Sequence, residues 1–322
     1  MARGVIYDAF VPRACSACAS AALVPHMRVD RSTGPDAFIP TTKRFGAALA
    51  DLARCRACGH IQLSRFPSEA ELSRAYREAE SVEYVEEEAG QRATARAVLD
   101  RIERHVPRGR LVDVACWVGF LLAEARDRGW QTLGVEPSEF AARYASERLG
   151  LEVIRAGLLE ADLAEEAWDA VVLGDLIEHL PDPAGALDRV AGLLRPGGVV
   201  YMALPNAGSR VARRMGPRWW SVIPTHVHHF TRPSLFTLLR RRGFEPLWAG
   251  TAPKAFTVRY YLERVGGYSR PIAGALVGAA GALGVADRIW APDLRDRMAV
   301  IARRPREGSD PLSVADSRGQ TP

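Results

Sequence analysis

Four of the five cysteines stand in two Cys-x-x-Cys pairs, Cys15 with Cys18 and Cys55 with Cys58, and 36 residues separate the pairs. Each such turn directs two thiolates at one point, and two turns complete a tetrahedral set of four sulfurs that suits zinc. A closed four-sulfur site leaves no coordination position open, so we expect a structural zinc ion there. Disulfide bonds and packed free thiols are the alternatives.

A second chemical feature is the turn Asp-Val-Ala-Cys-Trp-Val-Gly, which connects a predicted strand to a predicted helix within residues 110–130. Turns of this kind often hold a nucleotide-like cofactor and usually carry three glycines. Here Ala115 and Trp117 occupy the first two positions, and only Gly119 is kept. Alanine and tryptophan restrict positive φ, so the loop is altered. We interpret it as still functional, because Gly119 permits a close approach of the backbone nearest the helix, and we expect the Trp117 indole to form a wall of the pocket.

Two acidic residues flank this turn. Asp113 lies in the first strand, and Glu136 ends the next predicted strand, 23 residues later. A carboxylate at the second position can accept hydrogen bonds from both hydroxyls of a ribose.

Three histidines, His226, His228 and His229, share the short segment Thr-His-Val-His-His-Phe, which we expect to form one loop above the strand ends. Imidazole titrates near neutral pH and can remove a proton from a reacting group. We therefore expect one of them to act as a base. The alternative is that all three are hydrogen-bonding residues of a pocket or of the surface.

A further polar set stands in the segment Asp-Leu-Ile-Glu-His-Leu. Asp175, Glu178 and His179 are spaced so that one helical turn would carry them on one face, where they could gather a divalent cation. Structural hydrogen bonding explains Glu178 and His179 equally simply, so the sequence assigns no metal to them.

These residues must be positioned by a regular alternation of strands and helices. Apolar runs predict strands at 111–115, 132–136, 168–176, 199–206, 244–250 and 298–304, and amphipathic runs predict helices at 120–128, 138–150, 182–194 and 234–242. Ser138 and Asp182 are the expected N-caps, and Gly150 is an expected stop. Such alternation predicts an α/β fold with a doubly wound, mostly parallel sheet.

The same pattern divides the chain. We expect a zinc-binding module over 1–65, a helical connection over 66–108, the main α/β domain over 109–304 with a helical insertion at 252–296, and a disordered tail over 305–322. The insertion is rich in glycine, tyrosine and small apolar residues, and we expect its helices to pack either on the domain or at a homodimer contact.

Composition limits the classes of partner. The 322 residues carry a net charge of +5, and Lys43 and Lys254 are the only lysines among 43 basic residues. No basic block is interleaved with aromatic residues, which argues against nucleic-acid binding. The apolar run 272–286 is shorter than the ~20 residues of a spanning helix, and the N-terminal residues lack a signal-peptide core. A cytoplasmic protein is therefore expected.

The segments DVACWVGFLLAEA, LGVEPSEFAARYA, DLIEHLPDP and LLRPGGVVYMALPN together resemble the S-adenosylmethionine-dependent methyltransferases of the Rossmann-like class, throughout residues 110–206. The resemblance implies a seven-stranded sheet that ends in an antiparallel pair. It also implies a set of residues around S-adenosylmethionine: Asp113, Ala115, Trp117, Gly119, Glu136, Pro137, Leu158 and Asp175.

The cysteine segment, with CRACGHIQLSRFPSEAELSRAYREAESVEY and IPTHVHHFTRPSLFTLLRRRGFEP, resembles one branch of that class: methyltransferases of deoxysugar, polysaccharide and natural-product pathways. His226 falls on the histidine that acts as general base in the sugar enzymes of the branch. Thr225 and His229 replace the glutamate and the tyrosine of that element, which puts C-methylation of a keto sugar in doubt. His229 and Asp175 are the further catalytic candidates.

The sequence therefore predicts a methyltransferase that O-methylates a small molecule, a sugar or a natural-product scaffold. C-methylation of a nucleotide-linked keto-deoxysugar is one alternative. Another is a non-catalytic zinc-ribbon binding protein built on a decayed methyltransferase body.

Overall fold

The structure, a computed structural model, describes residues 12–31, 45–78 and 82–306. The predicted zinc module thus extends beyond the described residues at 1–11 and 32–44. Nearly all of the predicted disordered tail, from 307 onward, also lies outside them.

The N-terminal part of the described chain contains five strands and three helices. In chain order these are β1 (Leu23–Met27), β2 (Asp30–Arg31), β3 (Ala47–Ala48), β4 (Leu52–Cys55), β5 (Ile61–Leu63), α1 (Glu69–Arg77), α2 (Val82–Glu86) and α3 (Glu88–Ile102). The three helices fall within the predicted helical connection.

The rest of the chain alternates strands and helices. Its elements are β6 (Arg110–Val114), α4 (Phe120–Asp127), β7 (Gln131–Val135), α5 (Glu139–Leu149), β8 (Val153–Ile154), β9 (Trp168–Gly174), α6 (Pro183–Leu193), β10 (Leu194–Pro205), α7 (Arg210–Met215), β11 (His228–His229), α8 (Arg232–Arg241), β12 (Glu245–Thr251), β13 (Phe256–Thr257), α9 (Val258–Arg264), α10 (Arg270–Ala282), β14 (Ile289–Trp290) and β15 (Arg297–Arg303).

The central sheet has seven strands in the order β12-β15-β10-β9-β6-β7-β8. The strands pair in parallel except β15, which runs antiparallel to both β10 and β12. All but the last residue of β9 and most residues of β10 are buried, because helices cover both faces of the sheet. The predicted fold class, a mostly parallel seven-stranded sheet that ends in an antiparallel pair, is confirmed.

Local caps position the helices that follow the strands. The Ser138 hydroxyl accepts a hydrogen bond from the Ala141 N–H at 3.2 Å, and Gly150 ends α5 in the left-handed conformation with φ 64°. The Asp182 carboxylate accepts from the Gly185 N–H at 3.0 Å and caps α6. These caps are the ones that the sequence predicts.

Other boundaries were predicted wrongly. The helix expected at 234–242 begins at Arg232, because Thr231 and Ser234 form a reciprocal capping box ahead of it. Leu194, the last residue of the helix expected at 182–194, instead opens β10, where it pairs with Trp168. The insertion is mainly helical, but β13 and β14 add a two-stranded ribbon.

A second sheet, of four strands, has the order β1-β4-β5-β11. Three of its strands come from the cysteine-containing N-terminal part. The fourth, β11, comes from the histidine segment, far along the chain. This pairing brings the histidine segment against the N-terminal part of the protein.

Helix α10 exposes the apolar side chains Ile272 and Leu276, and Leu283, directly after the helix, is exposed as well. Within the described residues, no helix combines the length and the apolar character needed to cross a membrane. A homodimer contact at this helix stays a prediction.

Candidate active site

A cavity of about 1070 Å³ opens at the carboxyl ends of β6, β7 and β9, where ligands bind in doubly wound sheets. The structure brings every predicted cofactor-binding residue to its wall: Asp113, Ala115, Trp117, Gly119, Glu136, Pro137, Leu158 and Asp175. The volume slightly exceeds the range of about 300–1,000 Å³ for small-molecule sites, which leaves room for two ligands.

The loop between β6 and α4 keeps a glycine-like backbone although it has lost two glycines. Ala115 has φ 57° and Trp117 has φ 50°, both in the left-handed region, and Gly119 follows with φ 82°. Non-glycine residues in this region cost about 1–3 kcal/mol each and cluster at functional sites. Ala115 and Trp117 therefore adopt the positive φ that their side chains disfavour, and the loop keeps its path at the cost of backbone strain.

The Trp117 side chain forms part of the cavity wall, as predicted. Its ring contacts Tyr84 edge-on, at 6.5 Å between centroids, and lies 6.2 Å from Phe140. The indole Nε1 is buried and has no hydrogen-bond partner among the described residues. A buried donor without a partner at a cavity wall fits a ligand that supplies an acceptor.

Glu136 links the loop to the end of β7. Its carboxylate accepts one hydrogen bond from the Trp117 N–H and one from the Ser138 N–H, each at 2.8 Å. Burial raises the pKa of Glu136 to about 7, against the opposing effect of these two N–H donors. Burial and the neighbouring Glu136 charge raise the pKa of Asp113 to about 8.

Asp175 follows β9 and meets two cations that the sequence analysis did not assign to the site. Lys254 Nζ lies 2.5 Å from one carboxylate oxygen, and the Arg297 guanidinium donates to the other. Burial opposes ionisation of Asp175, but the two positive charges outweigh it and hold its pKa below the ordinary value. Asp175 is therefore a permanent anion and a weak base.

His226 lines the cavity beside His179, with ring centroids 4.5 Å apart. The His226 Nδ1 donates to the Ser221 carbonyl at 2.8 Å, which leaves Nε2 as the basic nitrogen. Burial lowers the pKa of His226 well below its ordinary value, and the neighbouring histidines add to the effect. The imidazole is therefore neutral at physiological pH.

His179 lines the same corner of the cavity, and the neighbouring Glu178 is buried without lining it. The His179 Nδ1 lies 2.9 Å from the Thr225 carbonyl and 2.6 Å from the Tyr76 hydroxyl. Neither carboxylate oxygen of Glu178 has a partner among the described residues, and burial, then the charge of Asp175, raises its pKa to about 8.

The metal-ligating atoms of Glu178, His179 and His226 lie within 4.8 Å of one another. Such a set can hold a divalent cation. It differs from the set that the sequence spacing indicated, because the Asp175 carboxylate is engaged by Lys254 and Arg297 and His226 stands in the cluster instead.

His228 and His229 are buried in β11, and neither lines the cavity. The three histidines therefore do not lie together on one loop above the strand ends. Of the two predicted catalytic histidines, the structure brings His226 to the cavity and leaves His229 behind it.

The cavity wall also includes several aromatic residues that the sequence analysis did not single out. They are Tyr76, Tyr84, Trp220, Phe256, Tyr260, Tyr261 and Trp290. Several come from the insertion, whose richness in tyrosine was the available signal. The rarity of lysine, with two lysines in an arginine-rich chain, was a weaker indication that Lys254 belongs to the site.

The four cysteines of the paired motifs converge away from the cavity. Their sulfurs lie within 4.8 Å of one another, with 3.6 Å between Cys15 and Cys58 and 3.5 Å between Cys18 and Cys55. A tetrahedral zinc ion with bonds of about 2.3 Å requires sulfur separations of about 3.8 Å. The set therefore fits zinc, and all five cysteines of the chain are free of disulfide bonds.

Comparison with known proteins shows which family the sequence matches. The sequence model of a family named "Methyltransferase domain" matches residues 85–248. A crystal structure of an S-adenosylmethionine-dependent methyltransferase from Thermotoga maritima is similar with a TM-score of 0.45 and 18% identity, covering 69% of this chain and 94% of that one.

Two curated relatives are ubiquinone biosynthesis O-methyltransferases. The Ruegeria pomeroyi protein is 29% identical over 153 residues, which cover 43% of this chain and 60% of the relative. The Alkalilimnicola ehrlichii protein is 32% identical over 137 residues, which cover 39% of this chain and 56% of the relative. The chain thus spans less than two thirds of the length of these relatives.

Proposed function

The chain belongs to the methyltransferase-domain family, and we propose that it is an S-adenosylmethionine-dependent enzyme that O-methylates a small molecule, a sugar or a natural-product scaffold. One observation carries the proposal: the strained loop at 115–119, the Glu136 carboxylate and the His226 imidazole line a single cavity. The O-methyltransferase relatives support oxygen as the methylated atom.

The cavity wall fits S-adenosylmethionine. The loop backbone keeps the left-handed conformations of a glycine loop, and Trp117 presents an unpartnered Nε1–H. Glu136 would hold the ribose hydroxyls, and Leu158 would pack against the adenine. These features favour a working cofactor site over a decayed one.

The cofactor supplies a methyl group already activated by a sulfonium centre, so the chain must orient an acceptor and remove its proton. His226 is the residue that we propose for proton removal. Its Nδ1 proton is held by the Ser221 carbonyl, so Nε2 can accept the proton from an acceptor hydroxyl. Because its pKa is lowered, the imidazole is already unprotonated at neutral pH.

Asp175 is better suited to orienting than to proton removal. Its carboxylate fixes Lys254 from the insertion and Arg297 from β15, so the three charges tie the insertion to the sheet at the cavity wall. We propose that this ion-pair group shapes the acceptor side of the site.

The test is methyl transfer by the purified chain. Labelled S-adenosylmethionine is incubated with hydroxylated sugars, phenolic scaffolds and a nucleotide-linked keto sugar, and products are identified by mass and by the position of the label. We expect an O-methyl ether. A product methylated only at carbon would favour the keto-sugar alternative, and absence of cofactor binding by calorimetry would favour the decayed scaffold.

We further propose that the four cysteines hold one structural zinc ion and that the chain divides as the sequence predicts, with a zinc module before the methyltransferase domain. The support is the fit of the four sulfurs to a tetrahedral site. Zinc would fix the two cysteine turns, since structural zinc contributes folding free energy directly.

A further inference from the structure

The cysteine-containing sheet includes the histidine segment as its edge strand. His228 pairs with Gln62 and His229 with Ile61 in antiparallel register. The Leu63 N–H also donates to the Val227 carbonyl at 3.0 Å. The three residues that directly follow His226 in sequence are therefore held by the N-terminal module.

His60 is the side chain that strengthens this attachment. It stands two residues after Cys58, is fully buried, and its Nε2 lies 3.1 Å from Nδ1 of His228. Its ring packs on Phe230 with centroids 4.5 Å apart. Its backbone carbonyl accepts from the Cys55 N–H at 2.8 Å, so the same residue closes the second cysteine turn.

Gln62 makes a parallel connection to the first cysteine turn. It is fully buried opposite His228, and its side-chain carbonyl accepts from the Ser16 N–H at 2.9 Å. Both cysteine turns are thereby joined to the strand that pairs with the histidine segment.

The other side of the histidine segment is attached to the cavity. The N–H groups of Val227 and His228 both donate to the Glu178 carbonyl at 3.0 Å. The Thr225 carbonyl accepts from the His179 ring at 2.9 Å. Hydrogen bonds thus attach the histidine segment to the N-terminal module on one side and to the turn after β9 on the other, and His226 lies within this segment.

We propose that His60 is a positioning residue: through its contact with His228 and the β5–β11 pairing, it holds residues 225–230 in the register that presents His226 to the acceptor. The inference rests on the proposed role of His226 and extends it to the module that contains the cysteines. The module then supports catalysis from outside, since Phe45 alone among its described residues lines the cavity.

Three substitutions at one site test this. His60→Phe keeps the ring and its packing on Phe230 but removes the polar contact, His60→Gln can still reach His228, and His60→Asn is too short to reach it. His26→Phe, at an exposed position of β1 in the same sheet, is the matched control. The first readout is hydrogen exchange of the amides of 225–230, compared with those of β7 in the central sheet.

We expect His60→Phe and His60→Asn to lose about tenfold in protection at 225–230, as expected for loss of one buried polar contact, with β7 unchanged. His60→Gln and His26→Phe should retain protection. Turnover should fall in the same two variants while affinity for S-adenosylmethionine stays within about twofold. Unchanged protection at 225–230 in both variants, or an equal loss in β7, would overturn the proposal.

Hydrogen exchange can be measured without a methyl acceptor. It therefore distinguishes a failure of the proposal about His60 from a failure of the proposed function. If protection falls as expected but the unmodified protein transfers no methyl group, the attachment by His60 holds and the proposed function fails. If His60→Phe does not fold, the comparison of His60→Asn with His60→Gln decides the matter by the same two readouts.

Discussion

Replacing Gly119 by alanine should damage the cofactor loop by two separable effects. Gly119 has φ 82°, and a left-handed backbone costs a non-glycine residue about 1–2 kcal/mol. A Cβ at this position would also lie 2.5 Å from Cδ1 of Leu151 and 3.2 Å from Cβ of Ala145, both buried. Overpacking of this kind typically costs about 1–3 kcal/mol. Together the effects amount to about 2–5 kcal/mol of unfolding free energy.

Gly150 provides the control. It also has positive φ, 64°, but a Cβ there would meet nothing within 4 Å. Gly150→Ala should therefore cost only the backbone contribution of about 1–2 kcal/mol.

The assay is urea unfolding of both variants, followed by tryptophan fluorescence, with the slope checked against the unmodified protein. Calorimetry with S-adenosylmethionine measures whether the shifted loop also loses affinity. Equal costs for the two alanines would show that the contact with Leu151 is not a constraint. The account of the loop as tightly packed against α5 would then be wrong.

Three further outcomes are expected. Glu136→Ala should weaken S-adenosylmethionine binding at least tenfold by calorimetry, since hydrogen bonds to a charged acceptor are each worth about 1.5–3 kcal/mol. The control Glu139→Ala, at an exposed position, should leave the affinity unchanged. If Glu136→Ala binds the cofactor as tightly as the unmodified protein, the ribose assignment is wrong. Elemental analysis should find about one zinc per chain and clearly less in Cys55→Ser; a zinc-free native protein would refute the site. His226→Ala should lower turnover about 10²–10⁴-fold. Because burial lowers the pKa of His226, base function is lost only as pH falls well below 6.5, so an acid limb centred at or above 6.5 would contradict the assignment.

Features set by neighbouring residues were predictable from the sequence. The Ser138 cap and the Gly150 stop of α5 depend on side chains and backbone within one or two turns, and both are found as expected. The loop could be located because Asp113 and Gly119 retain the pattern of a strand, a turn and a helix. Its backbone conformation at Ala115 and Trp117 could not be read from propensity, because the surrounding fold imposes left-handed φ on residues that disfavour it.

Features set by distant residues were not predictable. Asp175 was recognised, but its partners Lys254 and Arg297 arrive from the insertion and the last strand, and no local pattern indicates that pairing. The histidine segment was expected to be a loop, yet two residues suffice for β11 because β5 offers an edge to pair with. Neither strand is long enough to be read from periodicity.

The strand pairing between β5 and β11 also has a consequence for the order of folding. His60 and His228 are 168 residues apart in sequence, so this contact closes one of the longest loops in the chain. Contacts between residues so far apart in sequence form late, since the chain must lose the conformational entropy of the closed loop before the contact stabilises it. During synthesis the cysteine turns emerge before the histidine segment, so the edge of β5 remains unpaired until the central sheet has formed and β11 can pair with it. We therefore expect a refolding experiment to show a slow phase in which residues 225–230 gain protection last.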